Sequence, residues 1–215
     1  LEQMDDTKII YAGDRDIAVE VLDYLRNEPV EIAGLLLPER GSASHDQELL
    51  SKYDKTEETV LRGGKFRESE GKQFLREIEP EYIISIHFQY IYPKEILKIP
   101  KHGVVNLHPA YLPYNRGWHT PSWAIWEETP YGATLHFMQE EVDAGDIIAR
   151  RQVKIRPDDT ADSLYNRVKD VEYELFRDTW PELTNEDYDR LPQSEEEVTD
   201  HRKTDLENIS EIAPE

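Results

Sequence analysis

Lys8-Ile9-Ile10-Tyr11-Ala12-Gly13-Asp14 is a short apolar run broken by a glycine and an aspartate. A run of this length without polar alternation suits a strand buried on both faces, and Gly-Asp is where such a strand turns. Outward from it, Ile17 to Arg26 carries Ile17, Val21 and Leu25 four residues apart, which is one face of a helix. Val30 to Leu37 reads as a second buried strand, stopped by Pro38. After a polar stretch, Gly71 to Ile78 predicts a helix with Phe74 and Ile78 on one face. Tyr82-Ile83-Ile84-Ser85-Ile86 and Val104 to His108 predict two further strands. Alternation of this kind predicts an α/β fold, with a mainly parallel twisted sheet flanked by helices on both faces.

The second half changes character. Ala133 to Met138 and Ile147 to Ile155 are strand-like, joined by the turn-rich Asp143-Ala144-Gly145-Asp146. Asp162 to Trp180 has Leu164, Val168, Val171 and Leu175 on one helical stripe, and Pro181 is expected to close that helix. From about Asn185 the chain is acidic and poor in large apolar residues, with Glu195-Glu196-Glu197 as a charge run. This segment is expected to wrap the surface, with its final residues disordered. Leu1-Glu2-Gln3 precede Met4 and are set aside from the fold reading.

The chain of 215 residues is long enough for one sizeable core. Its formal net charge is −21, from 46 acidic against 25 basic residues. Such a surface repels phosphate backbones, so a general nucleic-acid binder is disfavoured, and the acidity itself reads as a solvated shell. There is no cysteine, which removes disulfides, thiolate metal sites and cysteine nucleophiles and makes a cytoplasmic enzyme the expectation. No stretch approaches the ~18 apolar residues that span a bilayer, so no membrane role is expected.

Chemistry concentrates between Val104 and Ile148. In Val104-Val105-Asn106-Leu107-His108-Pro109, a buried strand ends in two polar residues spaced i, i+2. Strand side chains alternate, so Asn106 and His108 share a face while Leu107 takes the other. The carboxyl ends of strands in an open parallel sheet are where ligands bind. An amide and an imidazole side by side there suit a negative oxygen developing during acyl transfer. Alone, Asn-x-His also fits a core histidine bonded to a neighbour. The next forty residues are more specific. Tyr111-Leu112-Pro113-Tyr114-Asn115-Arg116-Gly117-Trp118 is an aromatic loop with one arginine. A helix is expected over Thr120 to Trp126, and later comes the turn Val142-Asp143-Ala144-Gly145-Asp146-Ile147-Ile148.

Asn106-Leu107-His108-Pro109, the Leu-Pro loop with Arg-Gly, and Val142-Asp143-Ala144-Gly145-Asp146-Ile147, in this order, resemble the folate-dependent formyltransferase family. The likeness follows element order from about Lys8 to Trp180 and is specific from Val104 to Ile148. It implies a Rossmann-like catalytic domain over residues 4–183, with a short acidic C-terminal extension over 184–215. It places the family's catalytic asparagine, histidine and aspartate on Asn106, His108 and Asp143, and leaves Asp146, His119 and His136 with structural roles. The co-substrate it implies is 10-formyltetrahydrofolate, held by the main chain around Ile86, His87, Phe88, Gln89 and Tyr90. No metal is required, and no metal-ligand spacing occurs.

Chemically, a neutral amine attacks the formyl carbon and an oxyanion develops. Asn106 donates one hydrogen bond to it and protonated His108 a second, charge-assisted one. Asp143 supports the imidazolium by its charge and accepts the amine's proton, directly or through water. For the acceptor, the methionyl-tRNA type resembles a fusion with an RNA-binding barrel and a basic linker, which the acidic end of this chain does not match, so that type is set aside. The aromatic loop and His201-Arg202-Lys203-Thr204-Asp205-Leu206 look more like nucleotide-sugar N-formyltransferases acting on dTDP-linked amino-deoxysugars. An aromatic loop suits stacking on a base or sugar face, so Tyr111, Tyr114 and Trp118 are expected either to contact the acceptor or to pack the loop against the core, with Arg116 placed to pair with a diphosphate. The resemblance to the sugar enzymes adds a homodimer as a candidate assembly. The departures are Asp-Ala-Gly-Asp where Asp-Thr-Gly-Asp or Asp-Thr-Gly-Pro is usual, and His119-Thr120-Pro121-Ser122 after the aromatic loop. Glycinamide ribonucleotide as acceptor, hydrolysis of formyltetrahydrofolate and a catalytically silent folate- or nucleotide-binding module remain as alternatives.

Overall fold

The structure, a computed structural model, describes residues 7–208, so the N-terminal Leu1-Glu2-Gln3 and the final residues expected to be disordered lie outside the described residues. The elements run β1 (Thr7–Gly13), α1 (Arg15–Leu25), β2 (Val30–Leu37), α2 (Asp46–Lys52), β3 (Val60–Arg62), α3 (Ser69–Ile78), β4 (Tyr82–Ile86), α4 (Lys94–Leu97), β5 (Gly103–His108), β6 (Arg116–Gly117), α5 (Thr120–Trp126), β7 (Tyr131–Phe137), β8 (Ile147–Val153), α6 (Ala161–Thr184) and β9 (Asp200–His201). Seven strands form one sheet in the order β3-β2-β1-β4-β5-β7-β8. The first five are parallel, while β7 and β8 add as an antiparallel hairpin on the β5 edge. A short parallel pair, β6 with β9, stands apart from the sheet.

The unbroken apolar character of β1 has its cause in packing on both faces. Ile9 and Tyr11 belong to one core with Leu35, Ile84, Val105 and Leu107, against α1 and α6. Ile10 and Ala12 belong to a second core with Leu36, Phe66, Leu75, Ile83 and Val104. The two-residue period of the strands therefore sorts side chains between two buried layers. Leu107 faces the α1/α6 layer, so Asn106 and His108 project towards the other face. Among the described residues no helix is long and apolar enough to cross a membrane.

Two expectations need correction. The polar stretch between Pro38 and Glu68 contains α2 and the three-residue strand β3, whose Val60, Leu61 and Arg62 pair with Leu35, Leu36 and Leu37. Pro181 does not close the long helix, which runs on to Thr184. A proline one turn from a helix end forgoes a single bond, here to the carbonyl of the exposed Arg177, which water can satisfy. Buried Leu183 holds that last turn down, and Thr184 Oγ1 and Asn185 Nδ2 both donate to Pro181 O. At the other end, Thr160 and Ser163 form a capping box.

Beyond α6 the chain starts at the amino ends of β4 and β5, where Tyr82 Oη donates to Leu183 O and Arg190 Nη2 to His102 O, and from there runs back towards the loop after β5. Leu191 exchanges two main-chain hydrogen bonds with Ile147, and β9 runs beside β6.

Candidate active site

Asn106 and His108 sit at the carboxyl end of β5, where that strand meets the antiparallel β7. The register puts Asn106 opposite His136 and His108 opposite Thr134. Residues opposite each other in antiparallel strands share a face, and here Asn106 Nδ2 lies 3.2 Å from His136 Nε2. His136 Nδ1 lies 2.9 Å from Phe137 O, so Nδ1 carries the proton and Nε2 accepts from the Asn106 amide. That fixes the orientation of the amide and leaves its second N–H directed elsewhere. Thr134 Oγ1 accepts from Leu112 N and donates to Ala110 O, pinning the turn that leaves β5.

Asp143 comes in from the β7–β8 turn. It is 8% exposed, with φ at +53°, a left-handed conformation that aspartate tolerates better than most residues. Its Oδ2 lies 3.5 Å from His108 Nε2 and accepts from Gly117 N at 2.9 Å, while Oδ1 lies 3.6 Å from His136 Nε2. His108 Nε2 is also 3.3 Å from Asn115 O. Both neighbours of that nitrogen are acceptors, so Nε2 carries a proton and turns it towards them. Asn106, His108 and Asp143 thus converge, with His136 as a fourth side chain between Asn106 and Asp143.

Burial pushes His136 down to about 4, and the charge of Asp143 only partly opposes that shift. The unfolded chain therefore binds a proton near the ordinary histidine value that the folded chain refuses. Stability from this group is full above about pH 6.5 and is lost as pH falls from there towards 4, by roughly 3 kcal/mol at most. Thermal melts between pH 7 and 4 are expected to show that slope in the wild type and a shallower one in His136→Gln.

The loop expected to hold the co-substrate follows β4. Ile86 is buried and its carbonyl accepts from Asp14 N. The His87 side chain turns to the α6 side, with Nε2 at 2.8 Å from Glu172 Oε1 and Tyr165 Oη at 3.3 Å from Nδ1, and Glu172 is fully buried. Phe88 and Tyr90 pack with Phe66 and Tyr92 in the second core, and Gln89 is exposed. These side chains are committed or turned away, so what the loop offers a ligand is main chain. The N–H groups of Phe88, Gln89 and Tyr90 have no partner among the described residues.

Of the residues expected at the acceptor, Tyr111 lies under the Arg150 guanidinium at 4.3 Å, and Tyr114 Oη donates to Glu197. The half-buried Trp118 ring lies 5.1 Å from Lys203 Nζ. Arg116 differs from expectation. It is 7% exposed and its Nε and Nη2 donate to Gln193 Oε1 at 3.1 and 2.8 Å, so it is not free to pair with a diphosphate. His119 is exposed at the start of α5, and His201 stacks on Trp123 at 3.9 Å. The sequence points to no site role for Thr134 or Gln193, and only to a structural one for His136. For His136, the one signal in the sequence is its polar character inside an apolar strand.

A family model described as formyl transferase matches residues 16–179. The chain belongs to that family. Methionyl-tRNA formyltransferase of Geobacillus thermodenitrificans is 31% identical over 199 residues, covering 90% of this chain and 62% of that protein. The chain spans 62–63% of the length of such curated relatives. A 4-N formyltransferase from Francisella tularensis superposes with a TM-score of 0.80 at 22% identity, over 95% of this chain and 80% of that one. A formyltransferase from Anoxybacillus kamchatkensis, solved with UDP-4,6-dideoxy-4-formamido-L-AltNAc and tetrahydrofolate, gives 0.71 at 24% identity, over 94% and 88% of the chains. Those two likenesses are of fold, and the family fold is the parallel sheet with its antiparallel hairpin described above.

Proposed function

We propose that this formyl transferase moves a formyl group from 10-formyltetrahydrofolate to the amine of a nucleotide-linked amino-deoxysugar. The observation that carries the reaction is the meeting of Asn106, His108 and Asp143 at the end of β5, with the Asn106 amide oriented by His136. The unpaired main-chain N–H groups after β4 fit a pterin ring, which presents several hydrogen-bonding edges. When bound, the reduced folate supplies the carbon to be transferred. Asn106 has one amide N–H left for the oxygen that gains negative charge, and His108 adds a second donor. Asp143, beside His108, takes the proton released by the amine, directly or through water, and the folate nitrogen takes up a proton as its bond to the formyl carbon breaks.

The acceptor reading rests on the rim. Trp118 beside Lys203 and Tyr111 beneath Arg150 are aromatic faces backed by cations, suited to a base or sugar ring carrying phosphate. With Arg116 turned to Gln193, Lys203 and Arg150 are the better candidates for the diphosphate. The net charge of −21 opposes a tRNA. Methionyl-tRNA stands as the second reading because the curated relatives at 31% identity act under that name.

The test is tetrahydrofolate formation from 10-formyltetrahydrofolate with dTDP- and UDP-linked 3- and 4-amino sugars, glycinamide ribonucleotide and methionyl-tRNA offered in turn. Turnover on one nucleotide sugar is the expected result. Turnover only on methionyl-tRNA or glycinamide ribonucleotide would replace the acceptor, and formate release without an amine would make the protein a hydrolase.

A further inference from the structure

We infer that Gln193, from the segment beyond α6, is a positioning residue for the transfer reaction: it clamps the Asp143 turn and the Arg116 loop together and so sets where the Asp143 carboxylate lies. The inference deepens the formyl-transfer reading and rests on it. Gln193 is reached because Leu191 is fixed to Ile147 by main-chain bonds at 2.8 and 2.9 Å, two residues before it. From there its amide uses its whole capacity. Nε2 donates to Asp143 O and to Gly145 O, both at 2.7 Å, and Oε1 accepts twice from the Arg116 guanidinium. A flipped amide would set two N–H groups against a guanidinium and an oxygen against two carbonyls, so one orientation alone fits.

Both ends of Asp143 are tied through this amide. The main chain is held directly, at the carbonyl of Asp143 itself. The side chain is held through the next link, since Gly117, adjacent to Arg116, donates its N–H to Asp143 Oδ2. Arg116 is buried, and Gln193 is the side chain it bonds among the described residues. Asp143 sits in a left-handed backbone conformation at the tip of a turn, and such a conformation persists only when its surroundings hold it. Further bonds tie the same segment to the Arg116 loop: Arg116 N to Thr199 O, Asn115 N to Thr199 Oγ1, and Trp118 N to His201 O. These would keep the segment docked if Gln193 were replaced, so its removal acts on the turn.

Two substitutions separate positioning from mere anchoring. Gln193→Met keeps the length and removes every bond. Gln193→Glu keeps two acceptors for Arg116, now charge-assisted, but points a carboxylate oxygen at two carbonyls. A tail anchor would survive Glu and fail with Met, whereas the positioning role fails with both. The expected result is a fall in kcat of about tenfold or more for each variant, with the KM for 10-formyltetrahydrofolate unchanged. The activity of Gln193→Glu relative to wild type is expected to recover at lower pH, where the protonated acid regains one donor. Amide hydrogen exchange over residues 142–146 is expected to accelerate in both variants while β1 and β4 stay protected. Wild-type kcat in Gln193→Glu, or unchanged exchange in that turn in both variants, would overturn the inference. If the wild type transfers formyl to none of the acceptors, the functional reading falls instead, and the exchange measurement still decides whether the clamp exists.

Discussion

His108→Ala is expected to lower kcat for formyl transfer by on the order of 10²–10³, with the fold intact and the KM for the formyl donor little changed. His108 is 7% exposed at the end of β5, and its Nε2 faces two acceptors, Asp143 Oδ2 at 3.5 Å and Asn115 O at 3.3 Å. Its other ring nitrogen has no partner among the described residues, which leaves it for the reacting oxygen. Alanine removes that nitrogen and also takes the imidazole from beside Asp143, so two contributions to the transition state go together. Asn106→Ala is expected to cost a similar factor, and the double variant less than the product, because both donors serve one oxygen. Steady-state kinetics on the acceptor identified by the panel, with thermal melts as the check on folding, measure all three variants. A kcat for His108→Ala equal to wild type would remove His108 from the reaction.

Much of this arrangement is legible locally, and the boundary lies in how far apart the interacting residues are. The both-faces burial of β1 shows in its unbroken apolar run, and α5 is found over Thr120–Trp126 as its sequence indicates. The shared face of Asn106 and His108 comes from their i, i+2 spacing alone. The Asn106–His136 contact does not, because it depends on the antiparallel register between β5 and β7, which joins residues 30 apart. Nothing within either strand announces that pairing. β3 is three residues long inside a polar stretch, too short for a period to show. Pro181 misleads because local preference says that proline stops a helix, while buried Leu183 extends it by one turn. The acidic segment beyond α6 reads as a surface wrap from its composition. Its work is done by single residues, Leu191, Gln193, Thr199 and His201, whose partners lie 48 to 84 residues earlier where side chains are concerned. Composition averages such residues away. The expectation for Arg116 fails for the same reason, since the neighbour that occupies its guanidinium comes from that segment.

Gly145→Ala is expected to be the most damaging small substitution outside the reacting groups, lowering stability by about 1–3 kcal/mol and kcat by about 10²-fold. A Cβ at Gly145 would lie 1.8 Å from Phe137 O and 2.7 Å from Phe137 C. Both are main-chain atoms of β7, whose Phe137 N is bonded in turn to Asp146 O, so neither partner can give way like the end of a flexible side chain. The turn has to move by about an ångström or more. That motion is transmitted to Asp143 two residues away and breaks the Gln193 bonds to Asp143 O and Gly145 O. Asp143 then leaves its place beside His108, and a displacement of about 1 Å at a reacting group is enough for a hundredfold loss. The stability and activity losses have separable causes, which a comparison with Ala144→Gly makes visible. That variant loosens the same turn without a clash and is expected to retain most of the activity. Chemical denaturation and kcat measured on both variants test the account. A Gly145→Ala protein with wild-type kcat would mean that the position of Asp143 is not set by the close packing of this turn on β7.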